Sequence, residues 1–261
     1  MILLTGATGF VGSALLASLQ MRAQVRIAVR QLPDHAATLS SKVETIQASL
    51  SPEQDWSAAL TGISSVIHCA GRVHVMRETA TDPLLEFRRV NVESTLRLAR
   101  QAAEAGVKRF IFMSSVKVNG ESTLSGQALT EEDIATPQDP YGQSKHEAEI
   151  GLRHLAAETG MEVVIIRPPL IYGPGVKANF AALMRAVQRG WPLPLGALHN
   201  QRSLVALDNL VDFILTCLNH PNAAQQTFFV SDGHDLSTTE LVRSMARAAG
   251  VAPRLLPIPA W

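Results

Sequence analysis

Tyr141-Gly142-Gln143-Ser144-Lys145 sets a phenol four residues ahead of an ammonium. On a helix, positions i and i+4 share a face, so the two groups address one site. A free tyrosine has a pKa of about 10, and a neighbouring ammonium favours the phenolate, drawing that value toward working pH, where a general base is most useful. Such pairs occur by chance on many helix surfaces; beside a nucleotide site the pair gains meaning. The start of the chain supplies one. Met1-Ile2-Leu3-Leu4-Thr5 reads as a short buried strand, Gly6-Ala7-Thr8-Gly9-Phe10-Val11-Gly12 as a glycine-rich turn, and an apolar helix follows from near Phe10. Glycines at 6, 9 and 12 let the backbone approach a pyrophosphate, and the helix N-terminus adds unpaired N–H groups and a positive dipole end. The spacing is GxxGxxG rather than the commoner GxGxxG.

Two further positions bear on the same chemistry. The strand predicted over 24–29 ends at Arg30. An acidic residue near this point often holds the ribose 2′-hydroxyl of NAD, whereas an arginine accepts the 2′-phosphate of NADP. Arg30 therefore tilts the cofactor toward NADP; the other reading makes it an ordinary surface arginine, with Asp34 on the ribose. Phe110-Ile111-Phe112-Met113 leads into Ser114-Ser115. Strand C-terminal ends line the ligand crevice of a doubly wound sheet, so a serine there can hydrogen-bond a reacting carbonyl or hydroxyl while a tyrosine exchanges its proton. Ser114 itself reads as a loop-capping hydroxyl.

The elements that must hold these groups follow from periodicity. Strand-like runs at Ile2–Thr5, Val25–Val29, 43–48, 65–70, 110–113 and 163–167 alternate with helical patterns, notably 83–105 and 141–159. That alternation predicts an α/β chain: a Rossmann-type doubly wound parallel sheet covered on both faces. Proline and glycine cluster from Pro168 onward, so the expected division is a dinucleotide-binding domain over 1–167 and a smaller, mainly substrate-binding lobe over 168–261. Helices are expected in that lobe near 177–189, 208–219 and 238–249, and the apolar run 227–230 could return to the main sheet. No terminal helix is evident before Trp261, and the expectation is a lobe incomplete at its C-terminus.

Bulk properties exclude several classes. The 261 residues carry 23 Lys+Arg and 23 Asp+Glu, so no positive field points to nucleic acid or an anionic membrane. Cys69 and Cys217 lie in apolar surroundings as buried free thiols, and neither they nor the eight histidines make a metal-ligand spacing, so no metal site is expected. Gly6 interrupts the first apolar run, which lacks a basic leader, and no stretch reaches the roughly 18 apolar residues of a membrane span. A cytoplasmic setting is expected.

Taken together, the motifs resemble the extended short-chain dehydrogenases/reductases, the NAD-dependent epimerase/dehydratase family. Thr5 to Gly12 is similar to that family's nucleotide loop, Phe112-Met113-Ser114-Ser115 to its serine strand, and Pro140-Tyr141-Gly142-Gln143-Ser144-Lys145 to the start of its catalytic helix. Arg167-Pro168-Pro169-Leu170-Ile171-Tyr172-Gly173-Pro174-Gly175 resembles its entry to the substrate lobe, and Arg202-Ser203-Leu204-Val205-Ala206-Leu207-Asp208-Asn209-Leu210 its late arginine motif. The resemblance implies Tyr141 as acid/base, Ser115 as its hydrogen-bonding partner, and Lys145 as the group that holds the nicotinamide ribose and lowers the tyrosine pKa. It implies NAD or NADP on Gly6, Gly9, Phe10, Val11 and Gly12, with Cys69, Ala70 and Gly71 beneath the cofactor and Asn91 supporting the site. Ser49-Leu50 takes the adenine position, where the family often has an Asp before an apolar residue.

Asn179 and Arg202 would contact the nucleotide part of a nucleoside-diphosphate sugar, a guanidinium fork being well matched to diphosphate oxygens; alternatively Arg202 is a surface arginine. Lys117 and Asn119 stand where the family commonly has Thr and Tyr, and Lys117 either reaches the substrate or is a solvated surface lysine. The variant after the serine strand resembles the branch of UDP-sugar 4-epimerases and UDP-4-keto-6-deoxy-N-acetylhexosamine 4-reductases, which implies hydride transfer at a sugar C4. Two alternatives stand beside it: a 4,6-dehydratase, for which Val116 and Lys117 replace the usual acidic pair, and a dinucleotide sensor without turnover. By the same resemblance the helical segments 83–105 and 141–159 would form a homodimer interface.

Overall fold

The computed structural model describes residues 1–31, 40–73, 82–124 and 126–258; Asp34 lies outside them. Nine strands are described: β1 (Ile2–Thr5), β2 (Val25–Val29), β3 (Val43–Gln47), β4 (Ser65–His68), β5 (Arg109–Met113), β6 (Glu162–Arg167), β7 (Leu170–Tyr172), β8 (Leu204–Ala206) and β9 (Thr227–Phe229). The helices are α1 (Phe10–Arg22), α2 (Ser57–Leu60), α3 (Pro83–Phe87), α4 (Ser94–Glu104), α5 (Pro140–Thr159), α6 (Ala178–Gln188), α7 (Leu207–Asn219) and α8 (Thr238–Ala248). Seven strands form one parallel sheet in the order β3-β2-β1-β4-β5-β6-β9. This is the doubly wound Rossmann topology expected from the sequence, and it fixes where a ligand belongs. The order reverses at β1, which pairs with β2 on one side and β4 on the other, so the crevice opens beyond the C-terminal ends of β1 and β4.

Local chemistry explains the elements. All five residues of β5 are buried, which suits an aromatic and branched run covered on both faces. Phe110, Phe112, Leu98, Leu152 and Trp56 meet in the main core, where each aromatic ring removes a large apolar area from water. Helix α5 starts as a capped helix should: the Asp139 carboxylate accepts from Gly142 N–H at 2.6 Å, Pro140 follows the cap, and Gly160 ends the helix at φ 74°. The single helix expected over 83–105 is instead α3, a π-helical turn over Arg88–Glu93, and α4. Hydrophobic spacing cannot register one wider turn within an otherwise helical run, and such turns often mark functional positions.

The chain divides into two compact units, one of Met1–Pro168 with Val211–Val230, the other of Pro169–Leu210 with Ser231–Trp261. Most of helix α7, expected in the smaller lobe, groups with the first unit. Arg109, 6% exposed at the start of β5, explains this: its guanidinium donates to the Cys217 and His220 carbonyls at 2.7 and 3.0 Å and pairs with Glu162. A cation on a helix's last carbonyls satisfies both their lone pairs and the dipole. Strand β9 then lies parallel to β6. In the second unit β7 pairs with β8, two three-residue strands too short to register in the sequence pattern, while α6 and α8 pack through Val187, Val242 and Ala246. Asp232 joins that unit's loops, accepting from Tyr172 Oη at 2.8 Å, Ala206 N–H and Asn209 Nδ2.

Candidate active site

The glycine turn is dictated by close backbone approaches. Gly6 lies at φ +73°, and a Cβ there would sit 2.7 Å from the Ala70 nitrogen; one on Gly12 would sit 2.0 Å from the Gly6 carbonyl oxygen. Only glycine lets the β1 loop, the start of α1 and the β4 loop occupy one place. Gly9 precedes α1 without a side-chain cap, and no acidic residue enters the first turn. The N–H groups of Phe10, Val11 and Gly12 therefore head a helix whose positive end carries no built-in anion, an arrangement that fits a pyrophosphate.

The flanks are less specific. Arg30 is exposed at the end of β2, its carbonyl accepting from Gln47 Nε2 at 3.2 Å. Ser49 is exposed, but its N–H is engaged by Gln54 Oε1 at 3.0 Å, and Leu50 packs partly into the core.

Beneath the turn, β4 ends at His68, which is fully buried between the Thr5 and Thr95 hydroxyls at 2.7 and 3.0 Å and stacks on Phe112. Burial drives its pKa down to about 3, so it stays neutral and serves packing. Cys69 follows; burial raises its thiol to about 12, which removes it as a nucleophile. Gly71 is held against α5: a Cβ on it would lie 3.1 Å from Asn91 Oδ1 and 3.5 Å from Lys145 Nζ. Asn91, on the π-helical turn and 1% exposed, accepts from Arg72 N–H at 2.7 Å and donates to the Arg72 carbonyl and to Ser144 Oγ. Ser144 in turn donates to the Tyr141 carbonyl. The loop after β4 and the first turns of α5 are thus one hydrogen-bonded unit.

Tyr141, Lys145 and Glu149 form one stripe along α5, each a helical turn after the last. Lys145, 4% exposed, donates to the Met113 carbonyl at 2.8 Å with its ammonium 4.5 Å from the Phe112 ring centroid, and burial lowers its pKa to about 8. Tyr141 is half-buried, edge-on to Phe87, and burial raises its phenol to about 12. The Ser115 hydroxyl opposes that rise; Asp139 adds to it and Lys117 counters it. Lys145 was expected to lower the tyrosine pKa. Its ammonium sits 6.0 Å from the Tyr141 ring centroid, committed to a backbone carbonyl, and the downward pull comes from Ser115 and Lys117.

Two other readings change. Ser114 does not cap a loop: its hydroxyl donates to Glu149 Oε1 at 2.5 Å, while Ser115 accepts from Lys117 N–H at 3.2 Å and caps the 3₁₀ turn Val116–Val118. Lys117, expected either at the substrate or in solvent, stands beside two carboxylates. It is ion-paired with Asp139 and with Glu121 at 3.2 Å, its side chain 40% exposed. Asn179 and Arg202 are both exposed on the second unit, where Arg202 N–H donates to the Leu236 carbonyl at 3.0 Å.

Residues unforeseen from the sequence complete the site. Glu149, fully buried, accepts from Ser114, from Arg153 at 3.1 Å and from Arg167 Nε at 2.9 Å; Arg167 also donates to Asn119 Oδ1 at 2.8 Å. This buried pair fastens the serine loop to α5 and β6. The signal available was that Glu149 continues the Tyr141–Lys145 stripe.

A doubly wound sheet with a glycine turn at its reversal point and a serine–tyrosine–lysine cluster beside it defines a nucleotide-dependent dehydrogenase-type enzyme. Residues 2–230 match the NAD dependent epimerase/dehydratase family, and the chain belongs to that family of enzymes. It is 51% identical over 263 residues to a UDP-glucose 4-epimerase of Vibrio cholerae, covering all of this chain and 79% of that protein. MoeE5, solved with UDP-glucose and NAD, is 27% identical, with a TM-score of 0.81 over 97% of this chain and 83% of that one. A short-chain dehydrogenase/reductase superfamily protein from Agrobacterium tumefaciens with bound NAD is 25% identical, with a TM-score of 0.81 over 100% and 86%. Among the described residues no helix is long and apolar enough to cross a membrane, and no cluster of side chains could hold a metal ion.

Proposed function

We propose that the chain is an NAD-dependent nucleotide-sugar 4-epimerase acting on a UDP-hexose or UDP-N-acetylhexosamine. The observation that carries this reading is the pairing of Tyr141 with Lys145 one turn along the same face of α5, with Ser115 at the end of β5 and the glycine turn's uncapped helix end in the same unit. The names of the Vibrio cholerae relative and of the MoeE5 complex support the substrate class. Bound NAD supplies a hydride acceptor and donor and a positively charged ring whose field favours the phenolate.

The chain's own groups move the proton. With its pKa at about 12 in the protein alone, Tyr141 stands as a protonated donor, matched to the step that returns a proton to the C4 oxygen. In the opposite step the phenolate takes the C4 hydroxyl proton, and Ser115 hydrogen-bonds the same oxygen. Lys145, anchored to the end of β5, holds the ribose. Asn179 and Arg202 bind the diphosphate end of the substrate. The family's helical surface gives a homodimer, consistent with Ile150 standing 40% exposed on α5.

The reading is tested by heat-releasing nucleotide from purified protein and by following UDP-glucose into its C4 epimer by NMR. Retained NAD, turnover, and loss of turnover in Tyr141→Phe with NAD binding intact support it. Protein that is isolated empty, binds NADPH reversibly and consumes it with a 4-keto sugar would instead establish a 4-reductase, the reading Arg30 favours. A sensor would show no turnover and no effect of Tyr141→Phe.

A further inference from the structure

The turn that carries Ser115 is held at both ends by a single buried ion pair. Ser114, just before it, donates its hydroxyl to Glu149 Oε1 at 2.5 Å, and Asn119, just after the 3₁₀ turn, accepts from Arg167 Nη1 at 2.8 Å. Arg167 also donates to both oxygens of Glu149, and the two side chains are 4% and 0% exposed. Lys145, one turn before Glu149, donates to the Met113 carbonyl, so successive residues at the end of β5 are tied to successive turns of α5. On the other side the Ser114 and Val116 N–H groups donate to the Ile166 and Pro168 carbonyls at 2.8 and 3.1 Å. Asn119 is 3% exposed; its Nδ2 donates to the Asp133 carbonyl at 3.3 Å, and its carbonyl accepts from Thr136 Oγ1 at 2.8 Å. It stands where the family commonly has Tyr, and its carboxamide is what gives Arg167 an acceptor on the turn.

We infer that Ser114 and Asn119, clamped by the Glu149–Arg167 pair, are positioning residues that hold Ser115 in place for the proton step at the sugar C4 oxygen, an assignment that rests on the proposed roles of Ser115 and Tyr141. Ser115 lies one residue beyond the Ser114 anchor in extended backbone, at φ −158° and ψ 148°. Its own hydroxyl accepts only a local bond, from Lys117 N–H at 3.2 Å, so its aim is set by the chain on either side. The carboxylate that fixes Ser114 sits two turns along the helix that carries Tyr141, which refers both reacting groups to one rigid stripe. A reacting group displaced by about 1 Å costs on the order of a hundredfold in rate. The Lys117–Asp139 pair on the outer side of the turn is partly exposed, where water readily replaces a lost partner; the inner clamp is dry, and nothing replaces it.

A double-mutant cycle on kcat tests this, with NAD-saturated protein and UDP-glucose or UDP-N-acetylglucosamine as substrate. Ser114→Ala and Asn119→Ala each release one end of the turn and leave the Glu149–Arg167 pair intact, so the variants fold, which urea midpoints verify. Each should lower kcat about tenfold to a hundredfold, with KM and NAD affinity within about twofold of the parent. In a Ser115→Ala background the same substitutions should cost less than about twofold, because no hydroxyl is left for them to aim. Equal losses in both backgrounds, losses confined to KM or NAD affinity, or full kcat in both single variants would overturn the inference. If Ser115→Ala alone keeps full turnover, the role of the serine has failed. If the parent turns over neither sugar, the epimerase reading has failed and the inference falls with it. Both results are distinct from equal losses in an enzyme that needs Ser115.

Discussion

Burying an ammonium at Lys145 has a stability consequence that can be read without any substrate. The side chain is 4% exposed, and its pKa falls from the ordinary 10.5 to about 8, burial being the largest cause. The folded state therefore binds this proton less tightly than the unfolded chain. Below pH 8 the folded protein must carry the buried charge; between about 8 and 10.5 the folded lysine has lost its proton while the unfolded one keeps it, so stability rises with pH across that window. At roughly 1.4 kcal/mol per pKa unit, the contribution is about 3 kcal/mol. Tyr141 and Cys69, both raised to about 12, act in the opposite sense at higher pH, because the folded state resists their ionisation. A difference measurement separates them. Urea unfolding of cofactor-free protein and of Lys145→Met, repeated from pH 7 to 10.5, gives two curves whose difference is dominated by residue 145, provided the m-values agree. The expected result is a wild-type stability that gains about 3 kcal/mol on the variant across the window. Lys145→Met should then approach or exceed wild-type stability at pH 7 while losing turnover, since methionine fills similar space without a charge. A difference that stays flat would show that the ammonium is solvated in the folded protein, and the account of the buried site would be wrong.

Two other perturbations test the surrounding scaffold. Gly12→Ala introduces a Cβ 2.0 Å from the Gly6 carbonyl oxygen, so the first turn of α1 must move off the loop; the expected cost is about 1–3 kcal/mol in urea unfolding, with NAD affinity weakened at least about tenfold by calorimetry. Unchanged affinity would remove the glycine turn from the cofactor site. Glu149→Gln leaves the 4%-exposed Arg167 without its counter-charge, and chemical denaturation should show a loss of about 3–5 kcal/mol, with a sub-additive effect when Arg167→Gln is added.

The legible parts of the molecule were those in which the relevant interactions run along the chain. The β1–α1 turn, the glycine stop of α5 and the Tyr141–Lys145 face are all local, governed by glycine geometry and helical periodicity. The parallel sheet followed from strands alternating with helices, since parallel strands require crossovers. What stayed hidden was pairing across elements. Ser114 and Ser115 are adjacent hydroxyls at the end of β5; in the structure it is Ser114 that reaches Glu149, while Ser115 caps the Val116–Val118 turn. Lys117 read as solvated or substrate-facing because its counter-ion, Asp139, comes from another element. The π-helical turn was invisible because it adds width to a helix without changing its composition, yet it carries Asn91, which ties the β4 loop to α5.

The same distinction bears on how the site works. Local motifs supply the reacting groups, whereas cross-element pairs set their proton affinities. Tyr141 would be much the same phenol on any helix. In this fold, burial and the carboxylate of its own helix cap raise its pKa, and a neighbouring serine and lysine from the β5 side lower it. A substitution that preserves the Tyr141–Lys145 spacing can therefore change when the enzyme gives or takes a proton, if it alters the burial of the phenol. Spacing identifies the proton carrier, and the burial imposed on it by the fold, with the groups packed around it, shifts the pH at which it works.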